Sequence, residues 1–471
     1  MHPLDHLARL DGVAQAELVA RGELSALELL DACQHRLRTV DPLLRSVVSN
    51  DFDAARARIA RGSSGPFAGV PFLFKDVCAY PGLRCSFGSR VFAGNVASEG
   101  SPFTDHVDRA GLVTVGKSAT SEFGLIGSTE TLLEGVTHNP WNLTLSASGS
   151  SGGAAAAVAA GIVPLAHASD GGGSIRGPAA SAGLFGLKPS RGRTVPSSAP
   201  GSEFGALLSD GCISRSVRDS ALFLSVVEAE GTLPRLGYVR EPNGRKLRIG
   251  YTSTTLLGSE PAAECLRALE ATVSLCRELG HEVEAAPPSR VDGRALSLGF
   301  FTVAGSMLAG LVGMLEPMLG RPLGQGDLEP FTLELIAEAR AALARGVDVH
   351  TIFEAATRGY LDAIAPYDLM LTPTYATPPW ELGWLSPLLP REELIARTER
   401  AVCYTPIHNA AGCPAMSVPL YWTRENLPIG SHFAAAPGRE DVLLGLGYEL
   451  EQARPWADRW APYSFVRLAG C

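Results

Sequence analysis

The chain has 471 residues, 46% of them hydrophobic and 19% charged, with a formal net charge of −9. That length and apolar fraction exclude a disordered or fibrous chain and supply enough apolar surface for a large core. The acidic balance argues against a phosphate-backbone binder, whose affinity comes from Lys and Arg, so no nucleic-acid partner is expected and a small-molecule or apolar substrate fits better.

In chain order, residues 12–60 carry Leu18, Leu24, Leu27, Leu30 and Leu37 at helical spacing with Ser25 placed as an N-cap, so 1–62 is predicted as an N-terminal helical arm. From 66 to 120 the pattern becomes short apolar runs between Gly and Pro, such as Val70–Phe74 and Leu112–Val115, which read as buried strands alternating with helices. An Ala-rich helix is predicted over Ala154–Ala160, followed by strand-like runs at Ile162–Leu165 and Leu184–Leu187. Lys246–Tyr251 reads as a strand, Pro261–Leu279 as an amphipathic helix and Glu282–Ala285 as the next strand. This alternation predicts an α/β fold, with one domain over 1–471 built on a mixed β-sheet core flanked by helices on both faces. Within it, 63–230 is the expected catalytic core and 290–360 a helix-rich region on the substrate side. Val195–Ser202 and Pro234–Arg245 read as surface loops.

Ala295–Leu315 carries no charge and meets the length criterion for a membrane span. Its Gly, Ser and Thr content favours a buried or pocket-lining helix, so no membrane partner is expected. Nine cysteines stand at 33, 78, 85, 212, 265, 276, 403, 413 and 471 with no C-x-x-C pair, which points to neither a disulfide framework nor a zinc site and makes a reducing cytoplasm the expected compartment. The ten histidines show no metal-binding spacing beyond His2 and His6.

Lysine is scarce: it occurs only at 75, 117, 188 and 246, and the other basic residues are Arg. Arg stays protonated at any accessible pH whereas a buried Lys can be neutral, so Lys75 inside the apolar run 70–77 suggests a need for lysine chemistry; a snorkelling structural Lys is the competing reading. Two small-residue stretches complete the pattern, S-A-S-G-S-S-G-G at 146–153 and S-D-G-G-G-S-I-R at 169–176. A Gly-Ser run alone reads equally as a flexible loop. Two such runs bracketing an Ala-rich helix, with Lys75 upstream, supply a hydroxyl nucleophile, a proton acceptor and backbone N–H groups for an oxyanion.

These stretches resemble the amidase signature family. The resemblance rests on G-S-S-G-G-A-A-A-A-V-A-A-G at 149–161, D-G-G-G-S-I-R-G-P at 170–178 and G-L-K-P at 186–189. It extends through G-V-P-F-L-F-K-D-V at 69–77, Glu122-Phe123, H-N-P-W at 138–141, L-T-P-T at 371–374 and N-A-A-G-C-P-A-M-S-V-P at 409–419. It implies a Ser–cis-Ser–Lys triad that hydrolyses amide C–N bonds: Ser174 the nucleophile, Ser150, following a cis bond from Gly149, the bridging serine, and neutral Lys75 the base. The N–H groups of Gly171, Gly172, Gly173 and Ser174 are then expected to form the oxyanion hole, and Ser151, Asp170 and Arg176 to support the site. No cofactor and no metal are implied, and a homodimer stays open. An ordinary Lys, near pKa 10.4, would be protonated and useless as a base. Burial among Phe72, Leu73, Phe74 and Val77 is expected to lower it, while Asp76 would oppose the shift if its carboxylate turned inward.

The segment 111–118, G-L-V-T-V-G-K-S, matches the phosphate-loop expression, yet its interior is β-branched and strand-like rather than a loop. A nucleotide-binding protein is therefore the weaker alternative. Within the family, the rival is the glutamine-hydrolysing subunit of a tRNA-dependent amidotransferase. Those subunits usually carry G-K-T-N-x-D-E-F where this chain has Ala119 and Ser121, and a Gln after P-x-G where P-I-G-S-H stands at 428–432. The sequence looks more like bacterial hydrolases of linear or cyclic amides, aryl acylamides and, in some members, carbamates (urethanes). His167 and His408 read as packed polar residues.

Overall fold

The computed structural model describes residues 4–197, 205–231 and 233–470, so most of the predicted Val195–Ser202 loop, His2 and Cys471 lie outside the described residues. Eleven strands form one mixed sheet: β1 (Val47–Asn50), β2 (Pro71–Lys75), β3 (Val113–Ser118), β4 (Leu165–Asp170), β5 (Phe185–Lys188), β6 (Ser209–Ser214), β7 (Arg248–Tyr251), β8 (Glu282–Ala285), β9 (Leu369–Pro373), β10 (Ala415–Trp422) and β11 (Pro428–Ala434). Their spatial order is β1-β3-β2-β4-β6-β5-β10-β11-β9-β7-β8. The β2/β3, β2/β4, β7/β8 and β7/β9 pairs are parallel and the remaining neighbours antiparallel.

Helices cover both faces of this sheet, and β2 shows why. Successive strand side chains point to opposite faces. Phe72 and Phe74 pack in a cluster with Phe103 and Phe223, whereas Leu73 joins a second cluster with Leu30, Leu37, Ala155 and Val158. The N-terminal arm holds helices Gly12–Ala20 and Ala26–Leu44, and Ser25 caps the second with Glu28 accepting the Ser25 N–H in return at 2.8 Å.

One strand differs from expectation. The run predicted at Ile162–Leu165 begins at Leu165 and continues to Asp170. Gly161 (φ +79°) turns the preceding helix off and the Ile162 N–H bonds back to the Ala157 carbonyl, so Ile162 finishes that helix; Pro164 has no N–H to give a ladder. The strand therefore delivers the chain directly into Gly171–Ser174.

The uncharged stretch lies in a helix, Gly293–Leu319, the one helix among the described residues long and apolar enough to cross a membrane by length and composition. It packs against helices Pro330–Ala344 and Val349–Ile364. A Cβ at Gly305 would meet the Leu335 carbonyl oxygen at 2.4 Å, so the glycine lets two helix backbones approach closely.

Candidate active site

Lys75 closes β2 on the same side of the sheet as Leu73, the side covered by helix Gly152–Ala159, and Ser150 stands just before that helix. The Lys75 Nζ donates to Ser150 Oγ at 2.7 Å and to Ser169 Oγ at 3.1 Å. Lys75 is 1% exposed. Burial lowers its pKa from 10.5 to about 7, against the opposing attraction of Asp170 and Asp210. Asp76 takes no part in this, because its carboxylate accepts the Ser86 N–H and hydroxyl and faces Lys117 at 3.4 Å. The Gly149–Ser150 peptide bond is cis. A Cβ at Gly149 would sit 2.4 Å from the Ser128 carbonyl oxygen, a backbone-to-backbone contact that admits only glycine.

Ser174 is half-buried and faces a cavity of about 400 Å³ together with Lys75 and Ser150. Its hydroxyl has no hydrogen bond to the described residues, so it is free toward the cavity. The N–H groups of Gly171, Gly172 and Ser174 likewise have no acceptor among the described residues. Gly173 departs from the expectation that all four amides face the oxyanion: its N–H donates to Asp170 Oδ1 at 2.7 Å and is already spent. The Ser151 hydroxyl makes only a long contact, to the Ser169 carbonyl at 3.4 Å, while its carbonyl accepts the Ala155 N–H of the following helix.

Asp170 and Arg176 form the buried frame of this loop. The Asp170 carboxylate accepts Arg176 Nε at 3.0 Å and Nη2 at 2.9 Å, and the Ile175 N–H at 3.0 Å. Burial alone would raise the Asp170 carboxyl, but the Arg176 guanidinium outweighs it and holds the group well below the usual carboxylate range. Arg176 also reaches the Thr405 carbonyl at 3.0 Å, Asn409 Oδ1 at 2.7 Å and His432 Nε2 at 3.2 Å. Burial and then the Arg176 charge push His408 well below its ordinary value; for His432 burial, the neighbouring His408 and Arg176 do the same. Both are neutral packed rings. Replacing Asp170 by Asn strips the partner from a fully buried guanidinium, and such a loss costs about 3–5 kcal/mol. Urea unfolding of Asp170→Asn is expected to show a drop of that size; an unchanged midpoint would remove this pair from the frame.

Several contributors escaped the sequence reading. Ser169, the second partner of Lys75, was one more small residue in its motif. His167 is packed, as expected, and it also ties β2 to β6 through β4: its Nδ1 accepts the Lys75 N–H at 3.3 Å and its Nε2 donates to Asp210 Oδ1 at 3.1 Å. The cavity walls include Phe87, Phe92 and Phe123, from a turn and two three-residue 3-10 helices too short to show periodicity, beside Phe300, Phe301 and Met307 of the uncharged helix. Tyr375 lines the cavity and bonds Ser148 Oγ at 2.9 Å, with Trp380 buried behind it. The phosphate-loop match fails structurally: Val113–Ser118 is a buried strand, and the Lys117 amine is committed to the Cys78 carbonyl. Among the described residues no group of three or more His, Cys, Asp or Glu could hold a metal ion.

A largely apolar cavity with the hydroxyls of Ser150, Ser169 and Ser174 gathered at a buried lysine, set on a helix-flanked mixed sheet, is the framework of a hydrolase. The family model for amidases matches residues 28–444, and the chain belongs to the amidase signature family of amide hydrolases. It is 36% identical to a putative amidase, AmiC, of Mycobacterium tuberculosis over 97% of both chains. It is 34% identical to a 6-aminohexanoate-cyclic-dimer hydrolase of a Pseudomonas strain, over 95% of this chain and 96% of that one. The solved structure of a 6-aminohexanoate cyclic dimer hydrolase complexed with substrate superposes with a TM-score of 0.87 at 31% identity, covering 97% of this chain and 99% of the other.

Proposed function

We propose that this amidase acts through an acyl-enzyme on Ser174. In this reading neutral Lys75 takes a proton from Ser150, which takes the proton of Ser174 as its Oγ attacks the amide carbonyl. The oxyanion that forms is met by the N–H groups of Gly171, Gly172 and Ser174. The proton returns to the departing amine, the C–N bond breaks, and water then releases the acid by the same relay. The observation that carries the reading is the 2.7 Å bond from Lys75 Nζ to Ser150 Oγ beneath a cavity into which Ser174 opens. Asp170 and Arg176 keep the Ser174 loop in shape, and Ser151, whose carbonyl accepts the Ala155 N–H, anchors the Ser150 segment to helix Gly152–Ala159. No metal or cofactor is needed for these steps.

The substrate reading is an uncharged linear or aryl amide, with side activity on esters and carbamates, whose tetrahedral intermediates need the same donors. Its support is the aromatic and aliphatic wall of the cavity, to which the helical region 290–360 contributes. The similarity to a 6-aminohexanoate-cyclic-dimer hydrolase agrees with an amide carried on aliphatic chain. Eight described cysteines, all free and buried, agree with a reducing cytoplasm. The test is a panel on the purified chain: an aryl amide, a linear ω-amino amide, an aryl carbamate, an ester and free glutamine. The aryl amide and linear amide are expected to give the highest kcat/KM and glutamine the lowest. Fastest turnover of glutamine would overturn the apolar-pocket reading and favour the amidotransferase subunit.

A further inference from the structure

A second chamber, of about 310 Å³, adjoins the active-site cavity. The two share five lining residues, Leu257, Ser297, Phe301, Leu335 and Glu399, of which only Ser297 and Glu399 are polar. Those two are bonded to each other: the Ser297 hydroxyl donates to Glu399 Oε1, from helix Gly293–Leu319 to helix Arg391–Ala401. Ser306, further along the same helix, instead spends its hydroxyl on the Thr302 carbonyl within its own helix. Glu399 has no basic partner among the described residues, although Arg397 on its helix pairs with Glu393. Among the described residues this bond is the one polar link across the boundary that the two cavities share, and it joins two helices there.

We infer that the Ser297–Glu399 bridge is a partition that sets the length of substrate the active-site cavity accepts, and that the chamber beyond it is a second subsite for the far end of a longer unbranched amide. With the bridge closed, a chain reaching from Ser174 stops at the apolar wall of Phe300, Phe301 and Met307. With it open, the chain continues past Phe301 and Leu335, residues common to both chambers, into space lined by Leu298 and Ile395 together with the charged Arg294, Glu338 and Arg391. This deepens the amidase reading and rests on it.

The test uses two series of uncharged substrates: 4-nitroanilides with unbranched acyl groups of increasing length, and acetamides with unbranched N-alkyl groups of increasing length. The readout is the ratio of kcat/KM for a long member to that for a short member of each series, which is insensitive to a general loss of activity. Ser297→Ala and Glu399→Ala are expected to raise that ratio about tenfold in one of the two series, moving the optimum to longer chains. Glu399→Gln retains an oxygen acceptor for the Ser297 hydroxyl and is expected to keep the wild-type profile. Unchanged ratios in both series for both alanine variants would overturn the partition, as would a Glu399→Gln profile identical to that of Glu399→Ala. If the wild-type chain turns over no member of either series, the amidase substrate reading itself fails, and the two failures are distinguishable.

Discussion

Replacing Ser174 by alanine is expected to lower kcat/KM by at least about 10⁴-fold on any amide the wild-type chain hydrolyses, because loss of the nucleophile from a concerted catalytic unit leaves only oxyanion stabilisation and binding. The fold should not change, since the Ser174 hydroxyl has no hydrogen bond to the described residues and faces the cavity. The loss should therefore appear in kcat with the thermal midpoint intact. A sulfonyl fluoride followed by intact-mass measurement should add one label to the wild-type chain and none to Ser174→Ala. Undiminished turnover, or a label that persists in the variant and maps elsewhere, would end the assignment of Ser174.

The second large effect belongs to Lys75. Burial brings its pKa down to about 7, so the neutral fraction is small at pH 5, about half near pH 7 and nearly complete at pH 9. Because the neutral amine is the form that accepts a proton, kcat/KM is expected to rise tenfold per pH unit below about 7 and to level above it. A folded-state pKa held below the unfolded value of 10.5 also means that the unfolded chain binds more protons between pH 7 and 10.5, so this group makes the fold more stable as pH rises across that window. Above pH 7, therefore, activity levels while this part of stability continues to rise to about pH 10.5. Lys75→Arg keeps the charge but cannot release its proton, and its kcat is expected to fall at least about 10³-fold with no recovery at high pH. An active Arg variant, or a flat wild-type profile between pH 5 and 8, would exclude a lysine base.

Much of this site was legible in one dimension because its chemistry is carried by local runs. Lys75 sits among Phe72, Leu73 and Phe74, and such a run forms a buried strand whatever else the chain does. Ser150 and Ser174 are embedded in glycines that tolerate close approach, and the two runs bracket one short helix. What stayed hidden depends on partners far away in sequence. Arg176 meets Thr405, Asn409 and His432, which are more than 200 residues downstream, and no periodicity announces such contacts. The engagement of the Gly173 N–H by Asp170 escaped for a related reason: the run D-G-G-G-S offers four equivalent amides, and only the loop's path around the carboxylate selects which one is used.

The sequence by itself determined the α/β alternation, the three chemistry-bearing segments and the apolar character of the helix at 293–319, because these follow from side-chain type, spacing and the conformational freedom of glycine. Tertiary structure alone decided which charges face Lys75: Asp170 and Asp210 do, and the adjacent Asp76 does not. It alone put Phe87, Phe92 and Phe123 on the cavity wall, and it alone joined Ser297 to Glu399. The physical reason is one of range: hydrophobic period and backbone propensity act over a few residues, whereas the electrostatics and shape of a cavity are summed over every segment that the sheet order brings together.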